Sequence, residues 1–117
     1  AGPVGLGAAA AVKARGNAYI IGVDSDWFLT APDYADITLT SIMKLMDVTT
    51  FEVIKSAYEG TFQGGSVVGN LANGGVALAP FHNLDSIVPA ELKTELETLK
   101  ADIIAGKITL NPEYKQQ

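Results

Sequence analysis

The run from Ala18 to Trp27, AYIIGVDSDW, most constrains what this chain can fold into. Five of its first six residues are apolar, which predicts a strand over 18–23 that is buried on both faces of a parallel sheet. The run then ends on Asp24, Asp26 and an aromatic side chain. Ligands of open α/β sheets bind beyond the carboxyl ends of the strands, where Asp24 lies. Its carboxylate suits a pair of sugar hydroxyls; the alternative is that it caps the following turn.

The composition narrows the class of function. An apolar content of 48% and a charged content of 18% are ordinary for a globular chain, and 117 residues suffice for one core. The net charge of -5 provides no basic surface for nucleic acid. Cysteine is absent and His82 is the single histidine, which excludes disulfides, thiolate metal sites and histidine clusters. No apolar run approaches the roughly 20 residues of a membrane-spanning helix.

The order of apolar patterns and turn signals predicts an α/β fold with a mostly parallel sheet flanked by helices. Apolar residues at three- and four-residue spacing predict two helices that each bury one face. These stripes are Val48, Phe51, Ile54 and Tyr58, and Leu92, Leu96, Leu99 and Ile103. A first helix is predicted over 5–15. Further strands are predicted over 36–41, 64–71, 75–80 and 107–110, and 111–117 is predicted to be a polar tail.

The N-terminal sequence indicates that this chain is a fragment of a longer protein. It has no initiator Met and is not built like a signal peptide. The predicted first helix has no strand before it, although a βαβ unit needs a strand on both sides of its helix. We therefore expect the natural protein to continue upstream of Ala1.

Three residues are candidates to act with Asp24. Lys44 follows the second predicted strand by a few positions, at the same sheet edge, so that it could donate to the hydroxyls of a ribose. The alternative for Lys44 is a solvated side chain near Asp47. Trp27 could stack on a ring or sugar face, or pack against its own loop. Asp26 is two residues from Asp24, but a turn leaves their relative geometry open.

Two further features have simpler interpretations. The segment from Gly2 to Gly7 has the spacing G-x-x-G-x-G, which is neither the dinucleotide fingerprint nor Walker A. It predicts a tight strand-to-helix turn, in which a backbone N–H could still meet a ligand. His82 follows Pro80 and Phe81 and is predicted to be a loop residue without a catalytic role.

In combination these segments resemble the basic membrane lipoprotein family, the PnrA-like substrate-binding proteins of bacterial nucleoside ABC transporters. The resemblance covers residues 1–110. It is carried by the segments AGxxGLG from Ala1, GVDSD from Gly22, LTSIxK from Leu39 with Asp47, NGGVxLAPF from Asn73, and the helix from Val88 with IAGKI from Ile104. It implies one incomplete, C-terminal lobe of a type I periplasmic binding-protein fold, whose N-terminal lobe is missing.

The resemblance also implies a function and a set of contacts. Asp24 and Lys44 would bind the ribose hydroxyls of a purine nucleoside, and Gly2 would contact the ligand through its backbone. Asp26 and Trp27, in the loop after Asp24, are predicted to contact the ligand as well. Pro3 and Trp27 depart from the family pattern, which usually has glycine and glutamine there.

The implied protein is an extracytoplasmic, lipid-anchored component of an ABC importer. It would enclose a nucleoside between two lobes and present it to a permease, without cofactor or catalysis. The alternative is a receptor or regulatory module that uses the same lobe as a sensor.

Overall fold

The computed structural model describes residues 4–109, which form four α-helices and three strands. The helices are α1 (Val4–Arg15), α2 (Trp27–Thr30), α3 (Met46–Tyr58) and α4 (Ala90–Ile104), and the strands are β1 (Ile20–Asp24), β2 (Thr38–Lys44) and β3 (Val76–Leu78). Two 3₁₀ helices span Pro32–Tyr34 and His82–Ile87. The predicted tail over 111–117 lies outside the described residues.

The chain divides into two compact units, one up to Ile87 and one from Val88 onward. The first unit contains the whole described sheet, and the second contains α4. In residues 4–109 no helix combines the length and the hydrophobicity that a membrane span requires.

The sheet has the order β1-β2-β3. β1 and β2 are parallel, with Gly22 beside Ser41, and β3 is antiparallel to β2, with Leu78 beside Ile42. The predicted α/β class is therefore confirmed, although the described sheet is mixed rather than mostly parallel. The connection between β1 and β2 contains α2 and the first 3₁₀ helix.

The prediction that the first strand is buried on both faces is wrong. Ile21 and Val23 are 52% and 45% exposed, and only Gly22 of β1 is buried. The reason is position, because β1 is an edge strand of the described sheet and β2 is its centre. The buried residues of β2 are accordingly polar: Thr38, Thr40 and Ser41 are each at most 6% exposed.

Other predicted strands shift or disappear. The strand predicted over 36–41 runs instead from Thr38 to Lys44, and the one predicted over 75–80 shortens to β3. Described residues 64–71 carry no strand, because Asn70 and Asn73 bind the backbone around them in a turn that ends at Gly75. Residues 107–109 of the last predicted strand also lie outside any strand, and Leu110 is not described.

The three long helices confirm the helical predictions, and Gly16, Gly60 and Gly106 follow them with positive φ. The apolar stripe of α3 is nevertheless exposed, with Phe51 at 62% and Ile54 at 63%. Spacing detects an amphipathic helix, but it does not say what covers its apolar face.

Trp27 organises the packing of α1 against β1. Its half-buried indole lies over two glycines: a Cβ on Gly22 would be 2.6 Å from Trp27 Cγ, and a Cβ on Gly5 would be 3.0 Å from Cη2. The indole Nε1–H donates to the carbonyl of Val23 (3.0 Å), and the Trp27 backbone N–H donates to Ser41 Oγ (3.0 Å). The side chain therefore packs mainly against α1 and β1, beyond its own loop.

The packing under Trp27 predicts that Gly22→Ala destabilises the fold. The new methyl group would collide with the indole and with Ser41 Oγ, so we expect the free energy of unfolding to fall by about 1–3 kcal/mol in chemical denaturation. Gly7→Ala in α1 is the matched control, because its Cβ would meet open space and the helix would gain about 1 kcal/mol in propensity. Equal stability of Gly22→Ala and the wild type would contradict this packing.

Candidate functional site

Asp24 and Lys44 form the centre of the candidate site. β1 ends at Asp24 and the neighbouring parallel strand β2 ends at Lys44, so both side chains stand at the same edge of the sheet. Lys44 Nζ lies 2.8 Å from Asp24 Oδ1, and their side chains are 65% and 50% exposed. The structure thus brings these two residues together. Lys44 does so from the last position of a strand, rather than from the loop after it.

The electrostatics of this pair favour an ionised carboxylate. The hydrogen bond from Lys44 and the charge of its ammonium lower the pKa of Asp24. Asp24 therefore stays ionised, and only accepts hydrogen bonds, at pH values that protonate an ordinary carboxyl group. Its backbone has a φ of +74°, a left-handed conformation that aspartate tolerates better than most residues.

Asp26 has a different task from Asp24. Its Oδ1 accepts the backbone N–H of Phe28 at 3.1 Å, which caps the N-terminus of α2. Its Oδ2 lies 2.7 Å from His82 Nε2. The capping role that was the alternative for Asp24 is therefore performed by Asp26, two residues later.

His82 is the residue of this cluster that the sequence did not reveal. Its ring bonds to Asp26 and stacks on Phe28, with ring centroids 4.0 Å apart and planes inclined by 10°. It has a φ of +46°, which is uncommon for a non-glycine residue. The missing signal is long-range pairing: β3 returns antiparallel along β2, and the residues after it therefore arrive beside Ser41 and the β1 loop.

A groove with a volume of about 410 Å³ runs beside β1. Leu6 of α1 and Ile21 and Val23 of β1 line it, and Asp24 and Trp27 line it as well. The groove therefore joins an apolar strip of the edge strand to the carboxylate of the candidate site. Its volume is in the range of small-molecule sites.

The predicted site residues thus fall into three groups. Asp24 and Lys44 contact each other and remain accessible, whereas Asp26 and Trp27 are engaged in contacts within the fold. A ligand contact by Asp26 or Trp27 stays a prediction. Gly2 lies outside the described residues.

Removal of the Lys44 charge tests the electrostatics of the pair. In Lys44→Met we expect the pKa of Asp24 to rise toward the ordinary range of an aspartate, because both the hydrogen bond and the attraction are lost. NMR titration of the Asp24 carboxyl carbon measures this change. Lys55→Met is the matched control, since Lys55 pairs with Glu52 on α3 and should leave Asp24 unaffected. An identical Asp24 titration in Lys44→Met and the wild type would refute the pairing.

Comparison with known proteins adds a family model and several solved structures. The model described as Bmp, ABC transporter substrate-binding protein PnrA-like, matches residues 1–112. No curated protein matches the chain.

The solved structures that share its fold include the following three. A transcriptional activator of the comK gene from Bacillus halodurans has 24% identity and a TM-score of 0.72, over 88% of this chain and 34% of its own. An ABC transporter solute-binding protein from Aeropyrum pernix K1 has 22% identity and a TM-score of 0.69, and the match covers 95% of this chain and 38% of that protein. An ABC transporter solute-binding protein from Conexibacter woesei DSM 14684 has 22% identity and a TM-score of 0.57, and the match covers 71% of this chain and 28% of that protein. The chain therefore spans about a third of the length of these structures.

Proposed function

Because the chain belongs to the PnrA-like family of ABC transporter substrate-binding proteins, we propose that it forms part of a binding protein for purine nucleosides. The ligand would be held by its ribose and its base between two lobes, of which this chain supplies one. The observation that carries the proposal is the accessible Asp24–Lys44 pair at the carboxyl edge of two parallel strands.

The chemistry of this pair suits a vicinal diol. An ionised carboxylate accepts hydrogen bonds from two hydroxyl groups, and an ammonium group donates to the hydroxyl oxygens. Because the pair is half-exposed, the free energy of its direct contact is small, so a diol can insert between the two groups at little cost. Both side chains are then satisfied by one ligand group.

The remaining proposed contacts are secondary to this pair. Gly2 would offer its backbone to the ligand, and Asp26 and Trp27 would shape the loop that follows Asp24. Trp27 lines the groove beside Asp24, so its exposed edge is available to a ligand ring although its body packs on Gly22. Asp26 would act through the backbone that it caps.

The proposed protein works outside the cytoplasm, anchored by lipid to the membrane, and delivers its ligand to an ABC permease. Binding would close the two lobes about a hinge, and no bond of the ligand would be made or broken. The family is one of substrate-binding proteins, which supports this assignment over an enzymatic one.

A sensory function is the second candidate. The structure from Bacillus halodurans carries the name of a transcriptional activator, so a lobe of this fold occurs in a regulatory protein. Its 24% identity shows a common fold alone, and the family match favours transport. The same nucleoside site would serve either function.

Loss of the Asp24 carboxylate tests the proposed site. In the full-length protein we expect Asp24→Ala to lower the affinity for a purine nucleoside at least about tenfold, because charge-assisted hydrogen bonds are lost. Isothermal titration calorimetry with adenosine, guanosine and inosine measures the change. Asp33→Ala is the matched control, since it removes the same charge from the exposed 3₁₀ helix Pro32–Tyr34. Unchanged affinity in Asp24→Ala would overturn the assignment.

A further inference from the structure

We propose that His82 is a positioning residue for the nucleoside site. By bonding to Asp26, it holds the segment 24–28 in the conformation that sets the Asp24 carboxylate beside Lys44. The inference rests on the proposed function for its consequence in binding, but its structural part can be tested without any ligand.

The contact between His82 and Asp26 is better shielded from solvent than the contact between Asp24 and Lys44. Their side chains are 21% and 12% exposed, whereas those of Lys44 and Asp24 are 65% and 50% exposed. Interactions between exposed charges are weakened by water and salt, and buried ones much less so. The Asp24–Lys44 contact alone therefore holds its carboxylate loosely, and the anchor for the segment lies at Asp26.

Three pairwise contacts link Asp26, Phe28 and His82 to one another. Asp26 Oδ2 bonds to His82, Asp26 Oδ1 bonds to the N–H of Phe28, and the Phe28 ring stacks on His82. Each contact restrains the other two, because each of the three residues takes part in two of them. His82 is the member that comes from a distant part of the chain, so it fixes α2 against the connection after β3.

The restraint passes from Asp26 to Asp24 through a short backbone path. Only Ser25 separates the two aspartates, and Trp27 ties the far end to Ser41 of β2 and to the Val23 carbonyl. Asp24 itself has a left-handed backbone, so rotation of the Asp24–Asp26 segment would move its carboxylate away from Lys44. Removal of His82 frees Asp26 Oδ2 and permits that rotation.

The first experiment uses the ligand-free, full-length protein. Trp27 is the chain's single tryptophan and follows Asp26 directly, so its indole N–H reports on this segment by NMR. We expect His82→Ala to speed hydrogen exchange of that indole N–H at least tenfold. His82→Gln, whose amide can still donate to Asp26, should restore most of the protection. Unchanged exchange in His82→Ala would overturn the proposal.

The second experiment measures a ratio of affinities. With adenosine and 2′-deoxyadenosine as probes, the wild type should prefer adenosine, because Asp24 and Lys44 contact both ribose hydroxyls. In His82→Ala we expect this preference to fall at least threefold. Ile37→Val, a mild change at a buried residue away from the segment, is the control. A variant that merely destabilises the fold weakens both ligands equally and leaves the ratio unchanged.

A double variant separates positioning from general damage. If His82 acts through Asp26, then His82→Ala should lower the ratio little further in an Asp26→Asn background. Full additivity of the two changes would overturn the proposed route, and a ratio that is unchanged in His82→Ala would overturn the inference. Failure of the wild type to bind either nucleoside counts against the proposed function, and the indole exchange then still decides whether His82 holds the segment.

Discussion

The packing of one indole is the constraint on which this structure depends. Trp27 fits over β1 and under α1 only because Gly22 and Gly5 lack side chains. Its backbone N–H reaches Ser41 in the middle of the sheet, and its ring N–H reaches Val23. A helix, an edge strand and the central strand are therefore joined through a single residue, and the loop that carries the candidate site is attached to the same point.

The candidate site and its support are built differently. The groups that would meet a ligand, Asp24 and Lys44, are half-exposed and satisfy each other. The groups proposed to hold them, Asp26 and His82, are largely buried and hydrogen bonded to each other, and His82 also stacks on Phe28. A binding site gains from this division: its contacts stay free to exchange partners while its supporting groups keep one arrangement.

Sequence reasoning predicted the proximity of Asp24 and Lys44 and missed the contact of His82 with Asp26, for a physical reason. Parallel strands bring their carboxyl ends to one edge, so the proximity of Asp24 and Lys44 follows from element order alone. His82 lies 56 residues after Asp26 in the chain, and their contact depends on β3 pairing antiparallel to β2, which no local pattern encodes. Likewise, the apolar character of Ile21 predicts a strand, but its exposure depends on which strand takes the centre of the sheet.

The mutual neutralisation of Asp24 and Lys44 also has a consequence for the kinetics of capture. A carboxylate and an ammonium group 2.8 Å apart form a dipole rather than a net charge, and the field of a dipole decays quickly in salt water. Such a site neither draws in nor repels a solute over long distances. For a neutral solute, encounter would then proceed by unbiased diffusion, at a rate nearly independent of ionic strength. A neutral, hydroxyl-rich solute loses nothing by this, whereas a charged competitor gains no long-range attraction from this pair.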